Sequence, residues 1–147
     1  MELINSNIIK LYKRYVDYTL ILAKPSDISN ILAKFNSYHP QIQFTLDYFP
    51  DNDVHFLDIK ITSDGTTIFR KSTHTGQYSH ISSFTLWSQK TAWIRALINR
   101  AHKICSSGST LKVELDQISK FMSWNSFPRR LSQKLMNTFK PSSSPPN

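Results

Sequence analysis

From Leu11 to Leu22 the apolar positions flank a polar pinch formed by Asp17, Tyr18 and Thr19. Two short β-rich runs meeting at a tight polar bend predict a hairpin. The stretch "KPSDISNILAKFNSYHP" then predicts a helix. Ser26 or Asp27 can cap it, Ile28, Ile31, Leu32 and Phe35 share one face, and Pro40 stops it. Alternation returns in "IQFTLDYF", where Ile42, Phe44, Leu46 and Tyr48 share one side of a predicted strand. "VHFLDIKIT" and "TTIFRKS" predict two further strands, separated by a hairpin turn at "SDG" around Gly65. The expected order ββ-α-β-ββ is an α+β arrangement on an antiparallel sheet.

The period changes after Thr85. Wound at a helical pitch, Trp93, Ile94, Leu97, Ile98, Ala101, Ile104 and Cys105 form one stripe, and Arg95, Asn99, His102 and Lys103 fall on the other side. "SSGS" interrupts at residues 106–109. A second helix is predicted through Leu111, Leu115, Ile118 and Met122, broken at Asn125 and Ser126. Pro128 suits the first turn of a third helix carrying Leu131, Leu135 and Phe139. Three short amphipathic helices with tight turns fit a helix-turn-helix unit, and equally any small helical bundle. "KPSSSPPN" predicts a disordered tail. Expected boundaries are therefore 1–69 for the α+β half, 70–140 for the helical half and 141–147 for the tail.

Composition narrows the function classes. With 39% hydrophobic and 12% aromatic residues the chain can bury a core. Only 3 glycines are present, without a phosphate-loop or dinucleotide fingerprint. No run approaches the ~20 apolar residues of a membrane span, and the N-terminus lacks the basic lead-in of a secretory signal. A single cysteine excludes an internal disulfide and suits a reducing compartment, so nucleus or cytoplasm is the expected location.

Charge is more telling once divided. Residues 1–69 hold six Lys/Arg against eight Asp/Glu; residues 70–147 hold twelve against two, Glu114 and Asp116. The whole excess of +8 belongs to the second half, as expected of a nucleic-acid-binding segment. Arg95, Arg100, Lys103, Arg129, Arg130 and Lys134 are the expected phosphate contacts. Trp87, Trp93 and Trp124 could stack on bases, although Trp93 falls on the apolar stripe and reads as core.

Other constellations are weaker. His74, His80 and Cys105 match no zinc-ligand spacing. Asp51, Asp53 and Asp58 lack the glycine and terminal glutamate of a calcium loop and read as turn residues. Cys105 reads as a small core residue rather than a nucleophile.

"YKRYVDYTLIL" resembles the Tyr-x-Asp-Asp hairpin of Penelope-like retroelement reverse transcriptases, of the form "YxRYVDDTxxI". "VHFLDIKI…G…IFRKSTHTGQYSHISSFTLWSQKTAWIRALINRAHKICSS" resembles the stretch that follows the polymerase palm in those elements, and its helical part resembles an animal helix-turn-helix domain. The likeness spans roughly residues 8–130. It implies a remnant of a palm followed by a thumb-like helical region that grips a template–primer duplex.

In that family magnesium ions serve nucleotidyl transfer and need hard carboxylate ligands. Asp17 matches the first aspartate of the hairpin pair, but Tyr18 stands at the second, and the only acid before Asp17 is Glu2. One carboxylate does not hold two divalent ions. The chain is therefore expected to be catalytically inactive alone, with Asp17 a relic ligand position and no cofactor of its own. Its expected partner is a DNA or RNA duplex bound through the backbone, with neither membrane nor small-molecule substrate involved. Two alternatives stand beside this: the C-terminal part of an active RNA-directed DNA polymerase, and a basic module that binds an acidic protein.

Overall fold

A computed structural model describes residues 8–47 and 53–139. The chain divides into two compact units, residues 1–52 and 53–147. The fold is α+β, as expected, with two small antiparallel sheets and three helices following the strands.

In the first unit β1 (Ile9–Tyr15) and β2 (Tyr18–Ala23) form the hairpin predicted from alternation. Its two-residue turn is Val16–Asp17, so Tyr18 and Thr19 belong to β2 rather than to the bend. Val16 adopts φ 53°. A two-residue hairpin favours a positive φ because it matches strand twist, yet a β-branched residue is strained there. A short 3₁₀ turn at Pro25–Asp27 leads into α1 (Ile28–Asn36). Asp27 stands at the capping position without a side-chain cap bond, and the helix ends at Ser37, ahead of Pro40.

Residues 42–47 of the expected strand "IQFTLDYF" are not a strand. Phe44 instead docks on α1: its N–H donates to Asn36 Oδ1 at 2.6 Å, and Asn36 Nδ2 donates to its carbonyl at 3.2 Å. Its ring meets Phe35 edge-on at 5.3 Å. With its backbone bonded to a side chain, the segment has no ladder to join. Tyr48 and Phe49 lie outside the described residues.

The second unit opens with a three-stranded meander, β3 (Val54–Phe56), β4 (Ile59–Thr62) and β5 (Gly65–Ile68). "VHFLDIKIT", expected as one strand, is two: Leu57, at φ 56°, and Asp58 reverse the chain. The turn before Gly65 forms as predicted. A Cβ on Gly65 would collide with the Ser106 side chain, and its φ of 133° suits glycine.

The helices match the apolar stripes: α2 (Trp87–Ile104), α3 (Gly108–Trp124) and α4 (Arg129–Thr138). "SSGS" does not break the chain throughout, because Ser107 caps α3 and Gly108 already belongs to it. Ser107 Oγ accepts from the Thr110 N–H at 3.2 Å while the Thr110 hydroxyl accepts from the Ser107 N–H at 3.3 Å.

One core joins this unit. Ile94, Ile98, Ile118, Phe121 and Met122 are fully buried, with Ile68, Leu97, Ala101, Phe127 and Leu135 beside them. Each large side chain contributes about 2 kcal/mol. Periodicity points to most of these positions but not to Ile68, Phe121 or Phe127.

The expected boundary at 69/70 cuts through contacts of this unit. Ile68 belongs to the helical core, and the Thr66 and Ser106 backbones and side chains bond reciprocally (Thr66 N–H to Ser106 Oγ 2.9 Å, Ser106 N–H to Thr66 carbonyl 3.1 Å). Arg70, just past β5, forms a two-pronged ion pair with the buried Glu114 on α3; its Nη1 lies 2.7 Å from Oε2. The Glu114 bond raises the Arg70 pKa despite burial, so the guanidinium stays charged.

Removing one member of such a pair strands the other in the interior. Glu114→Ala should cost about 3 kcal/mol. An Arg70→Met/Glu114→Met double variant should recover most of that loss. Urea unfolding of both variants checks the pair.

Candidate nucleic-acid interface

Helices α3 and α4 are joined by the short turn Asn125–Pro128, whose backbone the sequence builds tightly. Ser126, at φ 63°, takes the left-handed position usually given to glycine. The Ser126 N–H donates to the Ser123 carbonyl at 2.9 Å, and the Phe127 N–H to the Met122 carbonyl at 2.9 Å. These two bonds close α3 in a Schellman motif, and the buried Phe127 and Met122 supply its apolar contact. Pro128 then starts α4, which needs no donor there.

Asn125 connects this turn to the loop before α2. Its Oδ1 accepts from the Tyr78 N–H at 2.9 Å, and its Nδ2 donates to the carbonyls of Gly76 (3.0 Å) and Phe121 (2.8 Å). Its own carbonyl accepts from the Ile81 N–H at 3.1 Å. His80 Nε2 lies 2.8 Å from Ser126 Oγ and its Nδ1 2.7 Å from Ser82 Oγ. Gly76, at φ 70°, is required: a Cβ would stand 2.6 Å from the Phe121 ring. Asn125 does end its helix, as expected, but its part as a clamp needs residues almost fifty positions away.

The six sequence-predicted cations divide. Arg95 and Lys103 lie on the exposed strip of α2, with Ser88, Ala92 and Asn99. Arg95 also sets its guanidinium 4.7 Å from the Phe139 ring centroid, which brings this strip to the C-terminal end of α4. Arg100 sits apart: it is half-buried and pairs with Asp58 at 3.2 Å, so its first partner is the β3–β4 turn. Arg129, Arg130 and Lys134 are exposed on α4 and make no ion pair with a described residue.

Charge alone does not reveal the rest of that face. Gln133 and Asn137 are exposed at helical spacing with Arg129, Arg130 and Lys134, while Ser132 and Leu135 point inward. The outward face of α4 thus offers hydrogen-bond donors and no acid. His102, expected on the polar side of α2, is half-buried with an enclosed Nε2. Lys112 and Lys120 add exposed charge along α3.

Trp93 is packed, stacked on Tyr78 at 4.4 Å and 4° and edge-on to Phe127 at 5.8 Å. Trp87 and Trp124 remain exposed at 50% and 60%.

The remaining residues hold other positions. Asp17 lies exposed at the hairpin tip beside Tyr18. Among the described residues no group of three or more His, Cys, Asp or Glu could hold a metal ion. Asp53 pairs with Lys60; Asp51 lies outside the described residues. Burial raises the Cys105 thiol pKa, which keeps it protonated, as fits a packing residue. Among the described residues no helix is long and apolar enough to cross a membrane.

A compact three-helix unit with a clamped turn between its last two helices, and basic faces on α2 and α4, fits a helix-turn-helix class of module. A family model, the animal helix-turn-helix domain, matches residues 77–137, from the Asn125-bound loop to the end of α4. No curated protein and no solved structure matches the chain.

The clamp gives a direct test. Asn125→Ala strands the Tyr78 N–H and the Gly76 carbonyl and should cost about 2–3 kcal/mol. Asn125→Asp should be no milder, because it turns an oxygen toward two carbonyls. Denaturant unfolding and amide exchange at Tyr78 and Ile81 check both variants.

Proposed function

We propose that this chain binds nucleic acid through its helical unit and does no polymerase chemistry on its own. The observation that carries the reading is the pair of exposed, acid-free basic faces on α2 and α4, within a segment similar to animal helix-turn-helix domains. Phosphates neutralised by Lys and Arg release counterions, so affinity from such faces is strongly salt-dependent. Arg95 and Lys103 run beside a backbone. Arg129, Arg130 and Lys134 approach the duplex from α4, the second helix of the motif, which is the one that enters a groove in this class.

Arg100 contributes less than the others, since phosphate must displace Asp58. Backbone contacts dominate and make binding largely independent of sequence. Such a function places the protein in the nucleus or cytoplasm.

The likeness of residues 12–22 to a degenerate palm hairpin supports reading the chain as a piece of a Penelope-like reverse transcriptase. With Tyr18 where a second carboxylate would stand, Asp17 lacks the partner that metal-dependent transfer needs. Purified chain should therefore extend no primer with magnesium or manganese. Extension that disappears in Asp17→Ala would support the alternative of an active polymerase part.

For the interface, Arg95→Glu/Lys103→Glu should weaken duplex binding at least tenfold. It should also reduce the salt slope by about one unit for each phosphate left without its cation. The fold should persist, because both side chains are exposed. Leu97→Asp buries a charge in the core and should unfold the unit instead. Fluorescence anisotropy over a salt series, with circular dichroism, reads all of these. A folded double reversal that binds like the parent, with unchanged slope, removes α2 from the binding surface, whereas a parent that shows no salt-dependent duplex binding favours the protein-interaction alternative.

A further inference from the structure

Just ahead of α2 the chain exposes large apolar side chains on a basic unit. Phe84 is fully exposed, Leu86 is 69% exposed and Trp87 50%. The segment that carries them is held by its own bonds. The Ser83 N–H donates to the His80 carbonyl at 3.0 Å, and Ser79, Ser83 and Thr85 hydroxyls follow one another at 3.0 and 3.1 Å. The Lys90 ammonium holds the Ile81 carbonyl at 2.6 Å. The loop is thereby tied to α2 while Phe84 faces water. Neither Phe84 nor Trp87 contacts another ring among the described residues. Burying both would lower the free energy, so their exposure calls for an occupant.

Charge says what kind. Residues 65–113 contain seven Lys/Arg and no Asp or Glu, and the exposed rings lie in the middle of that run. Arg95 is two helical turns beyond Trp87, about 12 Å along the axis. Cations that track a phosphate chain beside aromatic faces are the combination that binds single strands, because every base has a face to stack. Paired bases hide those faces within the duplex; unpaired or terminal bases offer them.

We propose that Phe84 and Trp87 form a stacking platform for unpaired bases, where a single strand leaves or ends the duplex held by the basic faces. This rests on the nucleic-acid reading above and names the part of the ligand that reading leaves open. The rings add affinity without neutralising phosphate, so their contribution is separable from that of the cations by its salt dependence.

The test uses the full chain with a blunt duplex, the same duplex bearing an unpaired tail, and vesicles containing acidic lipid. The parent should bind the tailed duplex more tightly than the blunt one. Phe84→Ala and Trp87→Ala should each cost about tenfold on the tailed duplex, with the salt slope unchanged, and should leave the blunt duplex nearly unaffected. In a Trp124→Phe background, the tail should quench the Trp87 emission. Circular dichroism confirms the folds, and Trp87→Phe should restore most of the binding.

A parent that binds duplex with strong salt dependence, while the ring variants match it on both probes, overturns the platform alone. A parent that binds neither probe overturns the nucleic-acid reading as well. Loss of vesicle binding in the ring variants, with nucleic-acid binding intact, assigns the patch to a membrane surface and overturns the proposal.

Discussion

The carboxamide of Asn125 is the constraint on which the helical unit depends. It is buried, and its two donors and its acceptor meet Gly76, Phe121 and Tyr78. A buried amide left unmatched is costly, so these partners specify one geometry. That geometry ends α3, sets the direction of α4 and binds the 76–81 loop. Tyr78 is thereby placed to stack on Trp93, and the loop then carries the chain to the start of α2. One side chain thus holds both the turn between α3 and α4 and the loop that leads to α2.

The acids of this unit are largely occupied inside it. Residues 53–147 contain thirteen Lys/Arg and five Asp/Glu. Glu114 is engaged by Arg70, Asp58 by Arg100 and Asp53 by Lys60. Local neutralisation within the fold leaves Arg95, Lys103, Arg129, Arg130 and Lys134 facing solvent with little opposing charge. The surface potential is therefore more positive than an even spread of the same residues would produce, which favours attraction of a polyanion.

The hairpin of the first unit is different in kind. Its two strands are joined by a turn that places the β-branched Val16 in the left-handed region. Such a conformation costs about 1–2 kcal/mol. It stands beside the exposed Asp17.

The sequence by itself determined the helices, the hairpin and the one-sided charge. Local period and turn chemistry dictate these: the apolar stripes of α2 to α4, Pro128 ahead of α4, and the bend at Asp17. Tertiary structure decided what depends on distant partners. "IQFTLDYF" has strand alternation, but Asn36 takes the Phe44 backbone; "VHFLDIKIT" reads as one strand, but the chain reverses at Leu57. Arg100 is equivalent to Arg95 in the sequence, but Asp58 claims it in the fold. Asn125 reads as a helix breaker, and only its meeting with Gly76 and Tyr78 makes it a clamp. Periodicity reports which side of an element is apolar, whereas hydrogen bonds and ion pairs between residues forty or fifty positions apart exist only once the chain has closed on itself.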